Sequence, residues 1–177
     1  MPNARRTPAP AWRRPGALAF VFFGGILGAG AREALELVLP SAGGVPVSTL
    51  IANVAGAFAL GWLLERTAPV RRRPAMAAAQ HPIAPLRPSG EHLRLFAGAG
   101  VLGGFTTYSG LAVTTAALAA GGHVWLAVAY GLGTVALGAL AGFGGVAGAI
   151  VSLDRARGLA GHQNPDSAPE RTGASDA

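Results

Sequence analysis

The sequence predicts an all-α membrane protein with four transmembrane helices, the third of which is broken near its middle. The 177-residue chain is 51% hydrophobic and only 12% charged, whereas soluble domains average about 25% charged residues. Four of its apolar stretches approach or exceed the roughly 20 residues that a helix needs to cross a bilayer. One of them carries a polar, glycine-rich stretch, Gly103–Gly110, with the sequence Gly-Gly-Phe-Thr-Thr-Tyr-Ser-Gly. Such a stretch is tolerated at membrane depth where it faces protein, water or a ligand.

The four spans are predicted at about 17–39, 47–64, 95–120 and 123–151. We interpret the first as an uncleaved helix rather than a signal peptide, because its apolar run continues through Leu39. Short turns at 40–46 and 121–122 connect the spans as two helical hairpins. The polar tails, 1–16 (basic) and 153–177, are predicted to be disordered, and 68–92 is predicted to be an arginine-rich loop. The membrane domain therefore covers 17–152.

The distribution of charge predicts the orientation in the membrane. All fourteen basic residues are arginines, and thirteen of them lie in the two tails and in the 65–94 region, whereas the two short turns contain none. By the positive-inside rule we expect a multi-pass protein of the cell membrane with both termini in the cytoplasm. The arginines do not form a helix face interleaved with aromatic residues, which argues against nucleic-acid binding. The chain has no cysteine, and its four histidines lack metal-ligand spacing.

Hydrogen-bond donors are predicted at membrane depth in three spans. Thr49 and Asn53 lie one turn apart on the second span, and Tyr130 and Thr134 lie one turn apart on the fourth. The third span contributes Thr106, Thr107, Tyr108 and Ser109. We find no carboxylate among them, and amide, hydroxyl and phenol donors suit a small neutral or anionic solute that is strongly hydrated. Asn53 could equally make a purely structural bond between helices.

Arg32 and the glycines have simpler interpretations beside the functional ones. Arg32 lies late in the first span, where its side chain could reach the headgroups or pair with Glu33 and Glu36. Glycines recur at four-residue spacing, which favours close packing of helices in lipid; the pairs are Gly24 with Gly28, Gly138 with Gly142 and Gly144 with Gly148.

At Gly103–Gly110, carbonyls released by a break could hold a monovalent cation. A simple kink, filled by threonine hydroxyls and water, is the alternative.

The chain resembles the CrcB/Fluc fluoride channel family along nearly all of its four spans. The order and spacing of three segments carry the resemblance: Gly24–Ala29 followed by Arg32, Ser48–Phe58, and Gly100–Ser109. The resemblance implies an antiparallel, inverted dimer of four-helix subunits with two narrow pores that conduct fluoride passively out of the cytoplasm. It does not imply an enzyme, because no covalent chemistry is involved.

The resemblance also implies roles for particular residues. A central structural sodium ion would be held by the backbone carbonyls of Gly103 and Thr106. The pore-lining positions would be Arg32, Thr49, Asn53, Tyr108, Leu111, Tyr130 and Thr134. The family motif continues Thr-Thr-Phe-Ser-Thr-Phe, so Tyr108 keeps an aromatic ring at the first phenylalanine position, whereas Leu111 offers an anion no electropositive ring edge at the second. The pore beside this third span could therefore be impaired.

The arginine count bears on the dimer. A homodimer of inverted subunits requires each copy to insert in both directions, which a strong charge bias opposes. We therefore expect this subunit to pair with an oppositely oriented homologue. Two alternatives remain: a small multidrug-type exporter, which would need a mid-membrane glutamate, and a non-conducting structural subunit of a heterodimeric channel.

Overall fold

The computed structural model describes residues 15–68 and 88–162, with the side chains of 88, 89 and 157–162 excluded. The described residues are helical apart from short turns and the interruption near residue 106. In chain order the helices are α1 (Pro15–Val38), α2 (Val47–Arg66), α3 (Pro88–Leu93), a π-helical segment (Arg94–Leu102), α4 (Gly103–Phe105), α5 (Tyr108–Ala120) and α6 (Val124–His162).

The prediction of four spans is confirmed. Among the described residues, four helical stretches are long and apolar enough to cross a membrane: Pro15–Val38, Val47–Arg66, Gly90–Ala120 and Val124–Ala156. The third stretch begins inside the region predicted as loop, since α3 starts at Pro88. Helix α6 continues to His162, past the predicted end at 151, because the segment after Ser152 loses its apolar character without losing its helix-forming leucine, arginine and alanine residues. The remaining parts of the predicted tails and of the predicted loop, 1–14, 163–177 and 69–87, lie outside the described residues.

Helices α2 and α6 pack closely through glycines. A Cβ atom on Gly61 would overlap the Gly142 carbonyl oxygen, and one on Gly145 would overlap the Phe58 carbonyl oxygen. The glycine pairs predicted on the last span are therefore only partly right: Gly138 has no atom within 4 Å of an added Cβ. Four-residue spacing identifies a small-residue face, but the crossing point of the two helices determines which of those glycines touch the neighbour.

Helix α1 packs against the π-helical segment and α4, also through glycines. A Cβ atom on Gly24 would overlap the Phe96 carbonyl oxygen, and one on Gly28 would overlap the Val101 carbonyl oxygen. Both glycines are buried in a helix whose large apolar side chains are mostly exposed. The prediction that Gly24 and Gly28 pack helices together is confirmed.

The helical path of the third span is interrupted between Phe105 and Tyr108. Thr106 has φ −79° and ψ 151°, and Thr107 has φ −142° and ψ 122°, so both residues are extended. The chain reaches this point through a π-helical segment that contains Gly98 and Gly100, and glycine lowers the preference for a regular α-helix. Two consecutive extended residues take several backbone groups out of the helical hydrogen-bond ladder.

Candidate functional site

A cleft of about 380 Å³ opens beside the interruption. It is walled by α2, the π-helical segment, the two extended threonines and the start of α5, with Val135 of α6 at one side. Five of the nine residues predicted for the pore and the cation site line it: Asn53, Gly103, Thr106, Tyr108 and Leu111. The fold thus brings together residues that lie more than 50 positions apart in sequence.

The side-chain amide of Asn53 is paired with the backbone of Thr107. Its Nδ2 donates to the Thr107 carbonyl oxygen at 3.0 Å, and its Oδ1 accepts from the Thr107 N–H at 2.8 Å. Asn53 is partly buried, and the two bonds satisfy both backbone polar groups of an extended residue. The bond between helices that the sequence left open as an alternative for this asparagine is therefore present.

The hydroxyls of the two extended threonines, Thr106 and Thr107, each bond to a nearby backbone group. Thr106 Oγ1 donates to the Leu102 carbonyl oxygen at 2.9 Å. Thr107 is the N-cap of α5, since its Oγ1 accepts from the Gly110 N–H at 3.0 Å. The capping role was missed in the sequence, although a threonine immediately before a helix is a recognised signal for it.

These bonds redirect two amide groups. In a continuous α-helix the N–H groups of Thr107 and Gly110 would donate to the carbonyls four residues earlier, at Gly103 and Thr106. Here they donate to the side chains of Asn53 and Thr107 instead. In the described part of the chain, no backbone N–H outside the regular helices bonds to the Gly103 or Thr106 carbonyl oxygen. The Gly103 and Thr106 carbonyls are the two predicted cation ligands. The N–H groups that would bond them in a continuous helix donate to side chains instead.

A second polar group lies buried between α2 and α6. Thr49, Thr134 and Tyr130 are 4%, 3% and 7% exposed. Thr134 Oγ1 donates to the Tyr130 carbonyl oxygen at 2.6 Å, which is the ordinary internal bond of a threonine in a helix. The Tyr130 hydroxyl faces the side chains of Thr49 and Thr114, yet it makes no hydrogen bond to either in this geometry. Its phenol therefore has a free donor at a buried position.

Tyr108 and Leu111 have very different surroundings although both border the cleft. Tyr108 is 83% exposed in the single chain, whereas Leu111 is 7% exposed. Leu111 packs in an apolar cluster with Leu118, Ala127 and Tyr130. The aromatic residue of this pair therefore projects outward, and the leucine supports the ring of Tyr130.

Arg32 lies apart from the cleft. Its guanidinium pairs with Glu36 one helical turn later, with Nη1 and Oε1 3.2 Å apart. The pairing expected from the sequence is confirmed for Glu36. Arg32 Nε is buried and makes no hydrogen bond. The described residues contain no group of three or more histidine, cysteine, aspartate or glutamate side chains placed to hold a metal ion.

The chain is similar to a well-populated group of proteins. Residues 19–146 match the family described as CrcB-like protein, Camphor Resistance (CrcB). A protein named fluoride-specific ion channel FluC 2 from Leifsonia xyli is 39% identical over 158 residues, which is 86% of this chain and 97% of that protein. The Thermus thermophilus protein named fluoride-specific ion channel FluC is 41% identical over 135 residues, covering 74% and 94% of the two chains. FluC 1 of Cutibacterium acnes is 40% identical over 129 residues, covering 72% and 81%.

Proposed function

Because this chain belongs to the CrcB-like protein family, we propose that it is a subunit of a fluoride-specific channel that lowers cytoplasmic fluoride by passive efflux. The names of the similar proteins support fluoride as the permeating ion. The observation that carries the proposal is that the polar side chains of Asn53 and Tyr108 line a cleft beside an interrupted membrane helix. Donors without a neighbouring carboxylate can replace the water of a small anion without repelling its charge.

The pore residues we propose follow the same chemistry. The Tyr130 hydroxyl has an unused donor at a buried position and faces Thr49. Tyr108 offers a second phenol and an electropositive ring edge at the mouth of the cleft. Arg32 would attract anions towards one end of the path, since its guanidinium has a donor that Glu36 does not use. Thr134, Leu111 and Asn53 complete the proposed lining.

The cation site we propose uses backbone oxygens alone. Sodium prefers hard oxygen ligands, and broken membrane helices supply them as carbonyls released from the ladder. The released carbonyls of Gly103 and Thr106 fit that requirement, because the amides that would normally bond them donate to side chains. The ion would neutralise the partial negative charges of these oxygens and fix the interruption in one conformation.

The assembly we propose is an antiparallel dimer with an oppositely oriented homologous subunit. The cleft is open on one side in the single chain, and Tyr108 at its edge is 83% exposed. A second subunit would close the cleft and bury this side chain. Thirteen of fourteen arginines on one predicted side of the membrane favour a fixed orientation, with both termini in the cytoplasm.

The direct test measures fluoride efflux from proteoliposomes with a fluoride electrode. We expect weak efflux from this chain alone and full efflux when it is reconstituted with a homologue of inverted arginine distribution. Chloride-loaded vesicles are the control and should not release chloride. Full efflux from the chain alone would contradict the heteromeric assembly, and no efflux in either preparation would contradict the channel function.

A non-conducting structural role is the second candidate, and the burial of Leu111 favours it. The family's second phenylalanine position is occupied here by a side chain that packs in the apolar cluster. If this subunit only completes its partner's pores, substitution of its own Tyr130 in the co-reconstituted pair should leave efflux unchanged. The multidrug-type exporter that the sequence left open is not supported by the family match.

A further inference from the structure

Asn53 and Thr107 are joined by two hydrogen bonds although 54 positions separate them. The asparagine donates through Nδ2 and accepts through Oδ1, so one amide holds both polar groups of one backbone residue. Among ordinary side chains, only asparagine and glutamine offer a donor and an acceptor on a planar amide suited to this pairing.

The close approach of α2 to the interruption is a second, independent observation. Gly56 lies one turn after Asn53, and a Cβ atom there would overlap the Cγ2 methyl of Thr106. Helix α2 therefore reaches the backbone of the interruption closely enough for a short side chain to span the gap. At this level along α2, an asparagine side chain is long enough to bond the backbone of Thr107.

The hydrogen bond from the Thr107 N–H to Asn53 Oδ1 affects the Gly103 carbonyl. If the Thr107 N–H were not held by Asn53, its nearest alternative acceptor in helical geometry would be the Gly103 carbonyl four residues earlier. Forming that bond would extend the helix through Thr106 and withdraw a carbonyl from the interruption. Side chains that compete with backbone ladders in this way commonly end helices.

We propose that Asn53 is a positioning residue that keeps the third span interrupted by holding Thr107, and thereby keeps the Gly103 carbonyl available to a monovalent cation. The part concerning the cation rests on the proposed function; the part concerning the backbone does not. Asn53 acts here through the backbone of Thr107, which differs from its predicted role as a direct pore donor. The amide retains one N–H beyond those used, so the two roles require separate measurements.

The first measurement is hydrogen–deuterium exchange of the segment that contains Thr107, in the full-length protein in nanodiscs. Asn53→Leu keeps the size of the side chain and removes both bonds. We expect amide exchange at Thr107 to rise severalfold, because an alternative bond to the Gly103 carbonyl competes with water and replaces only part of the protection that Asn53 gives. If that variant does not fold, Asn53→Gln moves the same amide by one methylene and should give a smaller increase. Unchanged exchange in whichever variant folds would overturn the proposal.

The second measurement separates positioning from conduction. Thermal unfolding is compared in sodium chloride and in N-methylglucamine chloride, and sodium should raise the Tm of the wild-type protein. Asn53→Leu should lose this shift, whereas the control Tyr130→Phe should keep it while its fluoride efflux falls. A variant at Asn53 that retains the sodium shift and loses only efflux would show a pore donor instead. Absence of efflux from the wild-type pair would contradict the channel function but would leave the exchange result intact.

Discussion

Gly56 lies directly against the Cγ2 methyl of Thr106, with no room for a Cβ atom between them. The methyl cannot turn away freely, because Thr106 Oγ1 donates to the Leu102 carbonyl oxygen at 2.9 Å. One contact therefore couples α2 to the conformation of the interruption. It lies beside the cleft that both residues line.

The first prediction follows from this contact. Gly56→Ala should destabilise the protein by about 1–3 kcal/mol, the range typical of overpacking, and should lower fluoride efflux by displacing the interruption. The measurements are thermal unfolding in detergent and efflux from proteoliposomes. Thr106→Ser removes only the obstructing methyl and keeps the hydroxyl, so the double variant should recover most of the loss. A double variant no better than Gly56→Ala would show that the methyl is not the obstacle.

The packing of α1 gives a second prediction with a matched control. Gly28→Ala would place a methyl against the backbone of Val101 and Phe105, and neither backbone can move without displacing a helix. We expect a loss of at least about 1 kcal/mol in unfolding free energy. Gly30→Ala lies two residues later on an exposed part of the same helix, where nothing lies within 4 Å. That variant should unfold like the wild type, and equal losses in the two variants would contradict this packing.

The third prediction concerns the buried phenol. Tyr130→Phe removes a hydroxyl that makes no hydrogen bond at a buried position, so stability should stay the same or increase by up to about 1 kcal/mol. Efflux should nevertheless fall, because a pore donor is lost. Measuring Tm and efflux on the same preparation distinguishes the two effects. A parallel loss of stability and efflux would indicate that the hydroxyl is structural.

The fourth prediction tests orientation. The chain has no cysteine, so a single introduced cysteine is a unique label. Ser41→Cys, in the short turn after α1, should react with a membrane-impermeant maleimide in intact cells. Ala78→Cys, in the region predicted to be an arginine-rich loop, should react only after the cells are opened. Labelling of both positions in intact cells would show insertion in two directions and would remove the argument for an oppositely oriented partner.

A fifth prediction addresses the ion pair on α1. Glu36→Gln should change unfolding free energy by less than about 1 kcal/mol, because partly exposed pairs one turn apart contribute little. If Arg32 attracts anions, the same variant should raise efflux slightly by freeing the guanidinium, and Arg32→Gln should lower it. Efflux measured at low and high ionic strength should show this difference shrinking as salt screens the charge.

The sequence by itself determined the four spans, the turn at 40–46 and the identity of the polar residues at membrane depth. Hydropathy and residue spacing are local properties, so they can be determined without knowledge of the fold. They also located Gly24 and Gly28 on a packing face. The predicted end of the fourth span at 151 is too early for α6, because apolar character stops there whereas helix-forming residues continue to His162.

Only the tertiary structure decided which of these residues meet. It placed Gly145 rather than Gly138 against α2, directed Leu111 into the apolar cluster beside Tyr130, and paired Asn53 with the backbone of Thr107. Each outcome depends on where two helices cross and how far one is rotated about its axis. Those quantities are set by the sum of many small contacts along both helices, and no local spacing encodes them.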